Sequence, residues 1–158
     1  MCHNAIAQMR CDIYWIPNDG SSRLGIMPRP RGGDWLEEEI RSSRQQKVDV
    51  LVSLLTPEEI AELDLQEEEA LCHAVGLQFL SFPIPDRSIP ADQDTALRFA
   101  TKLNGLHGAG KRIVIHCRAG IGRASLMAAF VFAIQGMSCR RRFCNDCHGP
   151  RLFSARHR

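Results

Sequence analysis

The sequence has no apolar stretch long enough to cross a membrane. Its longest uninterrupted apolar run, residues 126–134, contains nine residues, whereas a membrane-spanning helix needs about 20. The N-terminus also has no apolar segment after a basic patch and no small-residue cleavage site, so no secretory signal peptide is predicted. We therefore expect a protein of the cytoplasm with no membrane partner.

A disulfide framework and a nucleic-acid-binding surface are also missing. The seven cysteines are an odd number without regular spacing, and an unsecreted chain keeps its thiols reduced. The formal net charge is only +2, and residues 138–158 alone carry +5, which leaves −3 for the other 137 residues. Because nucleic-acid binding requires basic residues gathered on one face, no nucleic-acid partner is predicted.

The chain does have enough apolar residues for one domain. It contains 158 residues, of which 44% are hydrophobic, so it can bury a core without cross-links. The Arg-, Cys- and His-rich segment 138–158 shows no apolar period, so we predict a folded domain over residues 1–137 and a disordered or aberrant tail. The Cys-x-x-Cys-His pattern at 144–148 is that of haem attachment, and with Cys139 it offers zinc ligands. Haem attachment needs an exported chain, and clustered zinc ligands usually belong to larger paired knuckles, so neither a metal nor a cofactor is predicted.

Short β-branched or aromatic runs alternate with helical patterns along the chain. The predicted strands are 13–16, 48–55, 77–82 and 112–116, and the predicted helices are 35–44, one that begins at Pro57, 66–75, 91–107 and 122–135. Strands that alternate with helices indicate an α/β fold, so we predict a central, mostly parallel sheet of four to five strands flanked by helices. Asp34 is the expected cap of the first helix, and Thr56 and Glu59 are expected to form a capping box at the start of the second.

Residues 114–123 run from a buried strand through a glycine-containing loop into an apolar helix. The backbone N–H groups of such a loop and the positive end of the helix dipole converge on one point, where they favour an anion. Gly120 and Gly122 let the backbone curl, and Arg123 can clamp two phosphate oxygens with its planar guanidinium. The same donors stabilise the thiolate of Cys117, which makes it a nucleophile. The predicted phosphate-binding residues are Arg118, Ala119, Gly120, Ile121, Gly122 and Arg123.

The Cys-x5-Arg pattern of Cys117 and Arg123 resembles the signature of the protein tyrosine phosphatase superfamily. Its setting is closest to the compact dual-specificity-like phosphatases of the bacterial type, and the resemblance extends from about residue 13 to residue 137. In that superfamily the cysteine attacks phosphorus, the arginine holds the equatorial oxygens and no metal is required. The resemblance implies the cysteine-phosphatase fold and a phosphorylated protein or a small phosphate ester as substrate.

The resemblance also implies an aspartate on a separate loop that protonates the leaving oxygen. The matching residue is Asp86, 31 residues before Cys117, in a proline-stiffened loop from which a general acid can reach the leaving group. Asp92 and Asp94 are alternatives, but they begin the next helix, where acidic residues serve as caps.

One position departs from the superfamily's pattern. A Ser or Thr usually follows the arginine, and its hydroxyl stabilises the thiolate that leaves the phosphoenzyme. Here that position is Ala124, and the hydroxyl of Ser125 comes one residue later. Because a helix turns by about 100° per residue, Ser125 is expected to point elsewhere and the second chemical step to be slow. Nearby, His116 is predicted to orient the loop backbone by a hydrogen bond, and the side chain of Arg118 to face water.

Residues 22–35, rich in Pro, Gly and Arg, look like a stretch found in bacterial members of this group. They are predicted to form a loop near the mouth of the pocket, where Arg23, Arg29 and Arg31 contact the substrate. A solvated turn is the alternative, since turn composition alone explains the Pro and Gly.

The predicted function is that of a metal-independent protein tyrosine or dual-specificity phosphatase that forms a cysteinyl-phosphate. A rhodanese-like sulfurtransferase also carries a loop-borne Cys-Arg pair, but its loop is one residue shorter before the arginine and it has no need of Asp86. A catalytically weak, phosphate-binding pseudophosphatase is a third hypothesis, which only Ala124 supports. For Cys117 itself, the structural alternative is an inert buried thiol.

Overall fold

The computed structural model describes residues 10–18 and 23–136, and a five-stranded sheet runs through the middle of them. The strands are β1 (Tyr14–Trp15), β2 (Leu24–Pro28), β3 (Val50–Ser53), β4 (Gln78–Ser81) and β5 (Ile113–Cys117), in the order β1-β2-β5-β3-β4. β1 pairs antiparallel with β2, and every other pair is parallel. The predicted α/β fold with a mostly parallel sheet is therefore confirmed.

Helices cover both faces of the sheet. They are α1 (Leu36–Gln45), α2 (Pro57–Glu62), α3 (Glu68–Ala74), α4 (Gln93–Gly108) and α5 (Arg123–Ile134). Val50 and Val52 of β3 belong to the core shared with α4 and α5, whereas Leu51 between them belongs to the core shared with α1 and α3. All four residues of β3 are buried for this reason, which explains the unbroken apolar run in its sequence.

The register of the parallel strands brings their carboxyl ends to one edge of the sheet. Pro28 at the end of β2 lies opposite Cys117 at the end of β5, and Ser53 at the end of β3 lies opposite His116. The loops that follow these strands therefore meet at this edge, which is where open α/β sheets usually bind ligands.

The sequence predicted a loop over residues 22–35, but within the described residues 23–35 Leu24–Pro28 forms β2, between β1 and β5. Gly25 and Pro28 are poor strand formers, so local propensity hides this strand. Pairing with β5 on one side and β1 on the other, together with burial of Leu24 and Met27, outweighs that propensity.

One of the two expected helix caps is confirmed and the other is wrong. The Thr56 hydroxyl accepts from the backbone N–H of Glu59 at 3.4 Å, and the Glu59 carboxylate accepts from the backbone N–H of Thr56 at 3.0 Å. Asp34 instead lies within a short 3-10 helix, Gly33–Trp35, and α1 begins after it without a side-chain cap. The 3-10 turn satisfies the backbone there, so a side-chain cap is not needed.

The described helices include none that is long and apolar enough to span a bilayer. The predicted tail at 138–158, with its cysteines, falls outside the described residues.

Candidate active site

A cavity of about 330 Å³ lies at the carboxyl edge of the sheet, above the end of β5. Cys117 is at its base, with only 3% of its surface exposed. Of the predicted site residues, the cavity is lined by Asp86, Cys117, Arg118, Ala119, Gly122 and Arg123. Gly120 and Ile121 are not part of this lining, and the side chain of Ile121 points outward with 76% of its surface exposed. The structure thus brings together the residues that the sequence predicted for the nucleophile, the arginine and the acid.

The two glycines of the loop between β5 and α5 differ in what they contribute. Gly120 has φ of +75°, and a Cβ placed on it would lie 2.5 Å from the carbonyl carbon of Met27 and 2.6 Å from the nitrogen of Pro28. Gly122 has an ordinary φ of −79° and nothing within 4 Å of the corresponding Cβ position. Only Gly120 is therefore required to be glycine, because the loop packs against the backbone at the end of β2.

We expect Gly120→Ala to lower the free energy of unfolding by at least about 2 kcal/mol, from backbone strain and steric conflict with β2. Binding of inorganic phosphate should weaken at least tenfold, because the loop N–H groups move. Gly122→Ala is the matched control and should change stability by less than about 1 kcal/mol. Urea unfolding and phosphate titration measure both effects, and equal responses of the two variants would contradict this assignment.

The buried carboxylate of Glu59 fixes the guanidinium of Arg123. Its Nη1 donates to Glu59 Oε2 at 2.7 Å and its Nη2 to Glu59 Oε1 at 2.8 Å, and Nη1 also donates to the carbonyl oxygen of Ile84 at 2.7 Å. The hydrogen bond to Glu59 raises the pKa of Arg123, and the same bond lowers the pKa of Glu59. These contacts leave the Nε–H and the second Nη2–H as a parallel pair of donors, the edge that a phosphate accepts from.

Asp86 also lines the cavity, close to Arg123. Its Oδ1 is 3.5 Å from Nη2 of Arg123 and accepts the backbone N–H of Arg87 at 3.0 Å, while its side chain is 54% exposed. The loop that carries it is anchored before Asp86, since the N–H of Ile84 donates to the carbonyl of Leu54 at 3.0 Å and Ile84 is buried. From Pro85 to Ile89 every residue is exposed. The acidic side chain therefore sits on an exposed tip above a fixed base.

The two rival aspartates lie at the start of α4. Asp92 is its N-cap and accepts the backbone N–H groups of Asp94 and Thr95, at 3.2 and 3.1 Å. A hydrogen bond from the Thr95 hydroxyl, followed by one from the Asp94 backbone, lowers the pKa of Asp92. The expectation that these residues serve the helix end is confirmed for Asp92.

His116 does not make the hydrogen bond that the sequence suggested. Its Nε2 lies 2.8 Å from Oε1 of Glu68, with both side chains almost fully buried, and neither ring nitrogen has hydrogen-bond geometry to any group in the described part of the chain. The imidazole thus packs against a carboxylate from the first turn of α3.

Three further residues from the sequence analysis lie in the loop or at the start of α5. The side chain of Arg118 is 38% exposed and pairs with Glu62 at 2.5 Å, at the surface as expected. Ala124 is fully buried in the core and Ser125 is half-buried. Ser125 does not line the cavity, whereas Ala124 belongs to the same buried cluster as Cys117 but carries no hydroxyl.

The arginines of residues 22–35 separate into two groups. Arg23 precedes β2, at the opposite edge of the sheet from Cys117, so its expected place near the pocket is wrong. The backbone N–H of Arg29 donates to the carbonyl of Arg118 at 3.4 Å, which places this segment beside the loop. The side chains of Arg29 and Arg31 line a different cavity, where Arg31 pairs with Glu39 at 2.6 Å.

Sequence reasoning missed Glu59 and Glu68, the two buried carboxylates behind the site. Glu59 was interpreted only as part of a capping box, a role it also fills. Glu68 is four residues before the fully buried Cys72 on α3. A glutamate on the buried face of an amphipathic helix is a signal that could have been noticed, because an unpaired carboxylate is rarely buried.

The fold is that of known cysteine phosphatases. Kinase associated phosphatase (KAP), with a serine in place of its catalytic-site cysteine, superimposes with a TM-score of 0.76 at 18% identity, over 85% of this chain and 80% of that one. Tk-PTP in its active form gives 0.63 at 23% identity, over 82% and 78%. TpbA of P. aeruginosa in complex with pTyr gives 0.50 at 18% identity, over 80% and 74%.

A match to a family model shows which family the chain belongs to. No curated protein matches the chain in sequence. The model of the family described as "Tc-R-P: Polymorphic toxin system, DSP-PTPase phosphatase" matches residues 25–137, a span that runs from β2 through α5 and contains the Cys-x5-Arg loop. Since that span is more than two thirds of the sequence, the chain belongs to this family of DSP-PTPase phosphatases.

Proposed function

We propose that the protein hydrolyses phosphate monoesters through a covalent cysteinyl-phosphate, with phosphotyrosine in proteins as its main substrate and phosphoserine or phosphothreonine as further ones. The thiolate of Cys117 attacks phosphorus, and the ester oxygen leaves with a proton from Asp86. Water then cleaves the S–P bond and releases inorganic phosphate. The observation that carries the proposal is the position of Cys117 at the base of the cavity with Arg123 beside it.

The contacts of Arg123 support its role as the phosphate clamp. Glu59 and the carbonyl of Ile84 occupy the far side of the guanidinium, so its orientation is set before substrate binds. Donors that are already oriented stabilise transition-state charge without a reorganisation cost. Loop N–H groups from Arg118 to Arg123 complete the binding of the phosphoryl oxygens, as the superfamily's pattern implies.

The position of Asp86 supports its role as the general acid. A phosphate held by Arg123 has its ester oxygen directed out of the cavity, and Asp86 lies 3.5 Å from the guanidinium at that opening. The exposed tip of the loop can shift over a bound substrate, as catalytic loops often do.

Two observations support the substrate and the compartment. TpbA, a neighbour in fold, is described in complex with pTyr, and the cavity of this protein brings a cysteine and an arginine together. The nucleophile must be a free thiol, and Cys11, Cys72 and Cys117 are all free. Reduced thiols persist in the cytoplasm, and we place the activity there.

The test is hydrolysis of an aryl phosphate by the 158-residue protein, with and without a strong chelator. We expect phosphate release that the chelator does not change, because the proposed steps need no metal. A parallel assay of sulfur transfer from thiosulfate to cyanide should be negative. Phosphate binding without release would favour the pseudophosphatase, and sulfur transfer without phosphate release would favour the sulfurtransferase.

Ala124 makes hydrolysis of the cysteinyl-phosphate the slow step in this proposal. We expect a burst of leaving group that approaches the enzyme concentration in pre-steady-state assays. Ala124→Ser should shrink the burst and raise kcat about tenfold, if one hydrogen bond to the departing thiolate contributes about 1.5 kcal/mol. If the wild type shows no burst and the substitution leaves kcat unchanged, another donor already serves the thiolate.

A further inference from the structure

A second cavity, of about 410 Å³, adjoins the catalytic one and is mainly apolar. Its apolar wall is formed by Ile89, Pro90, Leu97, Leu126 and Phe130. Ile89 is 65% exposed, Leu97 55% and Phe130 37%. Single exposed apolar residues are ordinary on protein surfaces, but three large ones gathered in one groove are typical of a binding site.

The groove is continuous with the catalytic cavity. Leu126 lines both, and the loop that carries Asp86 passes from Ser88 in the catalytic cavity directly to Ile89 in the groove. Both cavities also share α5, since Arg123, Leu126 and Phe130 follow one another at the spacing of a single helix face. A substrate whose phosphate lies on Arg123 therefore has the groove beside it.

The spacing of Arg123, Leu126 and Phe130 along α5 shows how far a bound peptide must extend to enter the groove. With a rise of about 1.5 Å per residue, Leu126 and Phe130 lie roughly 5 and 10 Å along the helix from Arg123. An extended peptide advances about 3.3 Å per residue. The groove is thus reached by a side chain within about three positions of the phosphorylated residue.

We propose that this groove binds an apolar side chain of a phosphoprotein substrate, within about three residues of the phosphorylated residue. The inference rests on the proposed phosphatase function and adds a preference in substrate sequence. A small phosphate ester fills only the catalytic cavity and does not extend to Leu97 or Phe130. Gln93 and Asp94 at the edge of the groove provide the polar rim that surrounds an apolar contact in most interfaces.

The experiment compares phosphotyrosine peptides that carry Leu or Ser at each of the three positions on either side, with an aryl phosphate as the small substrate. For the wild type we expect kcat/KM to be about tenfold higher for the best Leu peptide than for its Ser partner, the order expected for transferring one aliphatic side chain from water. The difference should lie in KM.

Leu97→Gln keeps a helix-forming side chain of similar length and makes the groove polar. We expect it to reduce the Leu preference to threefold or less and to leave aryl phosphate turnover unchanged. Tyr14→Thr is the matched control, because Tyr14 is 63% exposed on β1 at the far edge of the sheet. This control should retain the full preference.

The possible failures are distinguishable. Loss of aryl phosphate turnover in the wild type would refute the proposed function. Normal aryl phosphate turnover with no Leu preference, or a preference that survives Leu97→Gln, would overturn only the inference about the groove. Two other results would also overturn this inference: sedimentation of the wild type as a dimer, or its sedimentation with phosphatidylcholine vesicles, if Leu97→Gln abolishes it. A second copy of the chain or a membrane would then occupy the groove.

Discussion

Cys117→Ser is expected to abolish phosphate release while phosphate or vanadate still binds. A serine hydroxyl at this position is not ionised at neutral pH, and loss of an activated nucleophile usually costs several orders of magnitude in kcat. The loop N–H groups, Arg123 and its partner Glu59 do not depend on the sulfur. Turnover of an aryl phosphate and calorimetric titration with vanadate measure the two halves of this expectation.

Cys11→Ser serves as the control for this substitution. Cys11 is also free and buried, and its Sγ lies 3.0 Å from the carbonyl oxygen of Glu39, to which a serine hydroxyl donates equally well. Its cavity is not the catalytic one. We expect Cys11→Ser to retain full turnover. If Cys117→Ser retained more than about a hundredth of wild-type activity, Cys117 would not be the nucleophile, because removal of a nucleophile lowers activity by more than about a hundredfold.

Asp86→Asn is expected to lower kcat by about 10²–10⁴ for substrates with basic leaving groups, such as tyrosyl or alkyl oxygens, which is the usual range for general acid catalysis. Phenols that are already acidic leave without a proton, so their esters should be affected far less. The measurement is kcat against the pKa of the leaving group for a series of aryl phosphates. The wild type should show a shallow dependence and the variant a steep one.

Asp92→Asn provides the matched control for the acid. Asn caps helices about as well as Asp, so this change keeps the cap of α4 and removes a carboxylate a short distance along the chain from Asp86. We expect unchanged kcat for every leaving group. If Asp86→Asn lowered kcat equally for all leaving groups, its effect would be on binding or on the loop, and Asp86 would not be the acid.

Local signals in the sequence were sufficient for much of the fold. The long apolar run of β3, the Thr56 capping box and the apolar helix α5 were all predicted, because each depends on neighbours within a few residues. The Cys-x5-Arg loop was visible for the same reason, since its cysteine, glycines and arginine are contiguous in the chain. The proposed roles of these residues await the experiments above.

Contacts between distant residues could not be read in this way. β2 is held by pairing with β5, about 90 residues later, and this pairing outweighs the poor propensity of Gly25 and Pro28. The partners of Arg123 and His116, which are Glu59 and Glu68, lie 64 and 48 residues earlier in the chain. No local periodicity reports such a pairing.

The sequence by itself determined the alternation of strands and helices and the Cys-x5-Arg loop between a buried strand and an apolar helix, because both follow from short-range patterns of burial and turn chemistry. Only the tertiary structure decided which glycine the loop requires, since the constraint on Gly120 comes from the backbone at Met27 and Pro28. It also decided the orientation of Arg123, which depends on a buried carboxylate from α2. Both features depend on groups that are distant in the chain. Only the packing of β2 and α2 against the loop brings those groups within a few ångströms of Gly120 and Arg123.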